Sequence, residues 1–266
     1  MKPPPSDRSE RPFGLVEEYV GTRMGTDLSA LVPGRTAVVE SERRLRCEKG
    51  YGYDRVLWWV WLEDGRSAVS VPPGAAEAVG QIAKAVADPQ QFLQPELAER
   101  LKPPVNAALK DAGLGGVDRV FADVQFACDR RLLLRHCCGD CRRLQDESIP
   151  PAEGLKLPTH CFPDGIVYGV VADGAVASFA FAHRTGLMED RIAGLAVETA
   201  AAYRRRGYAK TVVSGVVGHV ARNGGDAIYT CRPGNHASVA TARSVGFVPF
   251  GRSLVLGAPA RDLPGG

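Results

Sequence analysis

The feature that most restricts the fold of this chain is a valine-rich segment at helical spacing, entered directly from an arginine-rich loop. Tyr203-Arg204-Arg205-Arg206-Gly207-Tyr208-Ala209 runs into a stretch whose apolar residues are Ala209, Val212, Val213, Val216, Val217 and Val220. Steps of three and one place them on a single helical stripe, which must be buried against another element. Asn223-Gly224-Gly225 ends the helix, residues 227–231 then read as a buried strand, and residues 191–199 read as a strand before the loop. The result is a strand, loop, helix, strand unit. A loop that enters a helix directly aims unpaired N–H groups at one spot, and the helix dipole adds partial positive charge there. Gly207 allows close approach without a Cβ in the way, and the arginines add charge-assisted donors. Cations at a helix start oppose the dipole, so this pattern asks for an anion, and a phosphate fits best.

Two common phosphate loops are excluded by spacing. A Walker A loop needs glycines where this chain has Arg204 and Ala209 ahead of Lys210-Thr211. A dinucleotide fingerprint needs three glycines at fixed spacing, and only Gly207 is present.

The run Arg204-Arg205-Arg206-Gly207-Tyr208-Ala209 does match the pattern Q/R-x-x-G-x-G/A. A second signature follows in order, Asn235-His236-Ala237-Ser238 through Val245-Gly246-Phe247. Together they resemble the acyl-CoA loop and the following helix of the GNAT N-acetyltransferase superfamily. Val197-Glu198-Thr199 and the spacing Asn235-x-x-Ser238-x-x-x-Ala242 are similar to the subgroup that includes zwittermicin-resistance acetyltransferases. The resemblance covers about residues 165–250.

It implies acetyl-CoA as co-substrate and acetyl transfer to a primary amine, with a small molecule as acceptor; alternatives are a protein or peptide N-terminus, or a non-catalytic acyl-CoA sensor. It also implies that the amides of Arg205, Arg206, Gly207, Tyr208, Ala209 and Lys210 cradle the pyrophosphate, with Arg204 opening the motif. The strand at Val197 and Thr199 splays from its neighbour to hold the pantetheine arm, and Asn235 and Ser238 meet that arm from the other side. A backbone N–H near Thr199 is the expected oxyanion donor. Glu198 is the candidate general base, ahead of Glu189 and His183; the competing reading of Glu198 is a strand-end carboxylate paired with one of the arginines. Many family members carry a proton-donating tyrosine where this chain has Ala242, so a water or another tyrosine would have to serve.

The resemblance sets the expected fold class as α/β: a C-terminal GNAT fold with a mixed, mostly antiparallel sheet flanked by helices, preceded by a smaller α/β or α+β domain. Expected limits are a disordered tail over 1–12, an N-terminal domain over 13–145, the acetyltransferase domain over 146–256 and a tail over 257–266. The Pro-rich stretch 146–165 supplies the boundary. Within the first domain, 55–62 and 67–71 read as a hairpin carrying Trp58, Trp59 and Trp61, which alternate in facing and suit core packing. Helices are expected from Val79 to Val86 and over 95–112, then a strand over 117–127. In the second domain, 165–171 and 175–183 read as a hairpin about Asp173-Gly174.

Charge and cysteine content narrow the partners. With 33 Lys plus Arg against 30 Asp plus Glu, the net charge of +3 is too small for a nucleic-acid footprint. No stretch approaches a membrane span, and the Pro-rich start lacks a signal-peptide core, so a soluble cytoplasmic protein is expected. Seven cysteines, an odd number mixed into apolar segments, suit reduced thiols. Cys137-Cys138-Gly139-Asp140-Cys141 contains a Cys-x-x-Cys pair, but a zinc ribbon needs a second pair and only isolated Cys128 and Cys161 remain, so no metal is expected.

Overall fold

The computed structural model describes residues 13–47, 53–162, 165–183, 187–188 and 191–260. The tail 1–12, Glu189 and part of 257–266 therefore lie outside the described residues. In chain order the elements are α1 (Gly14–Met24), β1 (Thr36–Glu40), β2 (Tyr53–Leu62), β3 (Ser67–Val71), α2 (Ala76–Lys84), α3 (Pro95–Asp111), β4 (Arg119–Cys128), β5 (Asp140–Arg143), β6 (Val167–Ala172), β7 (Ala175–Ala182), β8 (Ile192–Thr199), α4 (Tyr208–Arg222), β9 (Asp226–Cys231), α5 (His236–Val245) and β10 (Val248–Pro259). They divide into two units: Glu17–Gln125 together with the segment returning from Pro249, and Phe126–Val248 together with the described residues up to Val16. No helix of the described residues is long and apolar enough to cross a membrane.

In the first unit β1 lies parallel to β3, and β2 lies antiparallel to both β3 and β10. The expected tryptophan hairpin is β2 and β3, and both strands are buried along nearly their whole length. Trp59 is fully buried, donates its indole N–H to Ser67 Oγ at 2.9 Å, and tilts against Phe92 at 5.1 Å. Burial without a lost hydrogen bond is what lets so large a side chain sit in a core. Val79 and Ala83 of α2 and Leu97, Leu101, Val105 and Leu109 of α3 recur every fourth residue and close over the same cluster. Val86 joins the cluster from beyond the end of α2.

In the second unit β8 is antiparallel to β7, β7 to β6 and β6 to β5, while β9 runs parallel to β8. The β6–β7 turn has Asp173 and Gly174 both at positive φ (52° and 76°), the geometry that an Asp-Gly hairpin turn requires. α4 buries Val212, Val213, Val216, Val217 and Val220, the stripe read from the sequence, against β6, β7 and β8. It comes so close that a Cβ on Gly215 would stand 2.8 Å from the Tyr168 ring.

The expected limits at 146 and 256 differ from these units. The second unit begins at Phe126, so the Pro-rich stretch lies inside it. β10 pairs with β2 from Gly251↔Leu62 to Pro259↔Tyr53, which gathers the last strand into the first unit. Nothing in the local pattern of 248–259 marks a partner so far away in the chain.

Candidate active site

β8 keeps its two neighbours for different lengths, and this creates the site. With β7 it pairs from Leu195 to Thr199, whereas with β9 the pairing runs only from Ile192↔Asp226 to Leu195↔Tyr229. Beyond Leu195 the edge of β8 that faces β9 is open. The strand end is held from the β7 side, where the buried Ser178 Oγ donates to the Glu198 carbonyl at 2.9 Å and lies 2.7 Å from Thr199 Oγ1.

The loop after β8 brings the second component. Ala200 N donates to Ala177 O at 3.0 Å, and a single 3-10 turn covers Ala201–Tyr203. Arg205 (φ 64°) and Gly207 (φ 83°) both take the left-handed conformation, and α4 starts at Tyr208. Among the described residues, no protein acceptor is found for the backbone amides of residues 205–210. The first helical bond comes only at Thr211, whose N–H donates to Gly207 O at 3.2 Å. Consecutive free N–H groups at the positive end of a fifteen-residue helix form an anion site. The loop's shape is held by contacts that leave those amides alone: Arg204 Nε donates to Thr199 O at 3.3 Å, the Cys138 thiol to Arg206 O at 3.2 Å, and the Tyr203 hydroxyl to Asp173 Oδ2 at 3.0 Å.

Between open strand edge and loop lies a cleft of about 430 Å³. The structure brings Val197, Glu198 and Thr199 of β8 into its wall together with Arg204, Arg205, Gly207, Tyr208, Ala209 and Lys210. Ser238 of α5 lines the facing wall. Arg206 and Asn235 do not line the cleft wall. The guanidinium of Arg206 lies over the Tyr203 ring, 5.2 Å from its centre. Asn235 is the N-cap of α5, its Oδ1 accepting from Ser238 N at 3.1 Å, and it follows the end of β9 by an intervening turn.

Glu198 is exposed, and among the described residues its carboxylate makes no ion pair with any of the arginines, so the competing strand-end pairing is not found. His183 lies outside the cleft wall, its ring 5.0 Å from Phe181. Ala242 is fully buried and offers only a methyl group. The sequence reading misses four lining residues, Tyr203, Tyr229, Ala237 and Thr241. Tyr229 sits on β9 opposite Leu195, where the two strands part, and burial pushes its phenol pKa upward. In sequence it is one aromatic residue in a buried strand, indistinguishable from core.

Among the described residues no disulfide joins any two cysteines. Cys137 and Cys138 are exposed, and burial pushes the Cys141 thiol up to about 11. Among the described residues no group of three metal-ligating side chains is assembled.

Residues 139–247 match the family model of the acetyltransferase (GNAT) family. No curated protein sequence matches the chain. Similar solved structures include a GNAT-family protein from Novosphingobium aromaticivorans, with 21% identity, 55% of this chain and 67% of that one covered, and a TM-score of 0.44. A GNAT-family acetyltransferase from Colwellia psychrerythraea shares 17% identity over 57% of this chain and 62% of its own, with a TM-score of 0.43. A GCN5-related N-acetyltransferase from Kribbella flavida shares 19% over 66% and 79%, with a TM-score of 0.41. The cleft and its phosphate-type loop fall wholly inside the segment 139–247 that matches the GNAT acetyltransferase family model.

Proposed function

We propose that the chain is an acetyl-CoA-dependent N-acetyltransferase acting on a primary amine of a small molecule in the cytoplasm. The observation that carries the reading is the meeting, in one cleft, of free amides at residues 205–210 and a β8 edge left open beyond Leu195. A diphosphate suits the first, and a linear arm bearing amide groups suits the second. Acetyl-CoA combines both and, when bound, supplies an acetyl group activated as a thioester.

The amides of residues 205–210, with Arg204 and Arg205, would hold the diphosphate, and the backbone at Val197 and Thr199 would pair with the arm. Ser238 faces them across the cleft, with Asn235 presenting that helix start. Glu198, exposed beside the cleft and without an ion pair, is suited to take a proton from an incoming ammonium. An N–H near Thr199 would stabilise the developing oxyanion. The small-molecule acceptor is favoured by the resemblance to resistance-type acetyltransferases and by the net charge of +3, which gives no overall attraction for basic peptides. An odd number of cysteines mixed into apolar segments suits a reducing compartment. One observation favours a second reading, a non-catalytic acyl-CoA sensor: the methyl of Ala242 stands where many family members carry an acid.

The test is calorimetric titration with acetyl-CoA beside an assay for thiol released over a panel of aminopolyols, aminoglycosides and peptides. Binding with amine-dependent thiol release is expected. Binding without release would favour the sensor, and absence of binding would end the proposal.

A further inference from the structure

We infer that the first unit carries a ligand site of its own, a groove lined by β1, Trp61 and the last turn of α2 that takes a small carboxylic acid with an apolar body. The inference does not depend on the acyl-CoA reading, since every residue of the groove belongs to the first unit. The groove has a volume of about 680 Å³, within the range of small-molecule pockets. Val38, Ala83 and Val86 give it apolar surface continuous with the core cluster. Trp58 and Trp59 are buried, whereas Trp61 is half-buried and turns part of its ring to the groove.

The hollow is held open by bonds made elsewhere. The loop before β1 is tied to the β2–β3 turn, where Gly34 N donates to Gly65 O at 3.0 Å, so it is fixed in place without closing onto α2. On the other side α2 approaches β1 at Gly80, where an added Cβ would lie 3.6 Å from Val38 Cγ2. Val32 is left 65% exposed on the rim.

The polar groups around the groove are donors without acceptors. Among the described residues the Arg35 guanidinium has neither a hydrogen bond nor an ion pair, and the Trp61 indole N–H has no acceptor, whereas that of Trp59 is satisfied by Ser67. Lys84 Nζ reaches only Gln81 Oε1, at 3.5 Å. The Thr36 hydroxyl is already given to Ser67 Oγ. No carboxylate or side-chain amide lines the groove to answer these groups. A ligand that matches them brings acceptor oxygens and negative charge, and a planar carboxylate suits the guanidinium fork. The negative end of α2 opposes an anion weakly, and Lys84, on that last turn, offsets it. A phosphate is less suited, because no helix N-terminus lines this groove as one lines the cleft of the second unit.

The experiment is calorimetric titration of the full chain with hydrocinnamate and with octanoate, beside the uncharged hydrocinnamyl alcohol. The wild type should bind hydrocinnamate about tenfold more tightly than the alcohol, the worth of one charge-assisted hydrogen bond. The double variant Arg35→Gln, Lys84→Gln should lose that preference at unchanged melting temperature, since both side chains are exposed. Binding should also shift the tryptophan emission of the wild type and leave that of Trp61→Phe almost unchanged; the phenyl ring keeps the contact with Phe92, now 6.4 Å between ring centres. Absence of saturable binding by both acids would overturn the inference, as would equal affinity for acid and alcohol. A preference for the acid that survives the double substitution would place the anion elsewhere, and tighter binding of phenyl phosphate than of hydrocinnamate would overturn the choice of carboxylate.

Discussion

Gly207→Ala separates two costs that are easily confused, crowding and backbone strain. A Cβ at this position would lie 3.8 Å from Cys138 Cβ and Sγ, an ordinary van der Waals distance, so crowding contributes nothing. The strain is different. Gly207 sits at φ 83°, and holding alanine in the left-handed region costs roughly 1–2 kcal/mol. If the loop stays as it is, that cost appears as lost stability, a melting temperature lower by about 2–8 °C for a chain of this size. If the loop relaxes, the amides of residues 205–210 leave their alignment, and the same cost appears as CoA affinity weaker by about 5- to 30-fold. Scanning calorimetry and titration with CoA should therefore show the cost in one measurement or divide it between them. Gly207→Asn should restore part of it, because asparagine tolerates the left-handed region better than alanine. An alanine variant with unchanged melting temperature and unchanged Kd would refute the assignment of strain to this residue.

Three further outcomes follow. Glu198→Gln should lower the rate of amine acetylation about 100-fold or more while leaving the Kd for acetyl-CoA unchanged, and an unaltered rate would remove Glu198 as the base. Gly215→Ala sets a Cβ 2.8 Å from the Tyr168 ring and should destabilise the fold by about 1–3 kcal/mol, read as a lower denaturant midpoint; an unchanged midpoint would mean the ring swings away freely. Burial, then the neighbouring Asp129, push Asp226 up to about 6. Its folded pKa thus exceeds its unfolded value, and stability is lost as pH rises through that window. Asp226→Asn should melt above the wild type at pH 8 and lose that advantage near pH 4, and a difference that ignores pH would contradict the assignment.

What the sequence made legible was local. The valine stripe gave α4, Asp173-Gly174 gave the β6–β7 turn, and Arg204 to Ala209 gave the phosphate-type loop, because each depends on residues a few positions apart. The cleft itself was less legible. It exists because β9 abandons β8 after Leu195, a matter of register between strands separated by a whole helix. Tyr229 acquires its interest only from that parting. Arg206 and Asn235 read as equals of their neighbours in the motif, yet their side chains are engaged on the Tyr203 ring and at the α5 cap, which side-chain geometry alone decides. The pairing of β10 with β2 was invisible for the same reason.

The early end of the β8–β9 ladder has one more consequence. A sheet normally keeps its unsatisfied edge at its margin, where charge or covering loops guard it against foreign strands. Here part of an edge is displaced to the interior of the second unit, walled by α5 on one side and the arginine loop on the other. Any guest that docks there extends the sheet as a surrogate strand, and its length is limited by the distance from Tyr229 to the loop rather than by side-chain pockets. Along the strand, selection is thereby exercised by the main chain, so substitutions at Val197 should drift with little effect on what binds, while Thr199 is tied to Ser178 by its hydroxyl and a proline at either position would close the site.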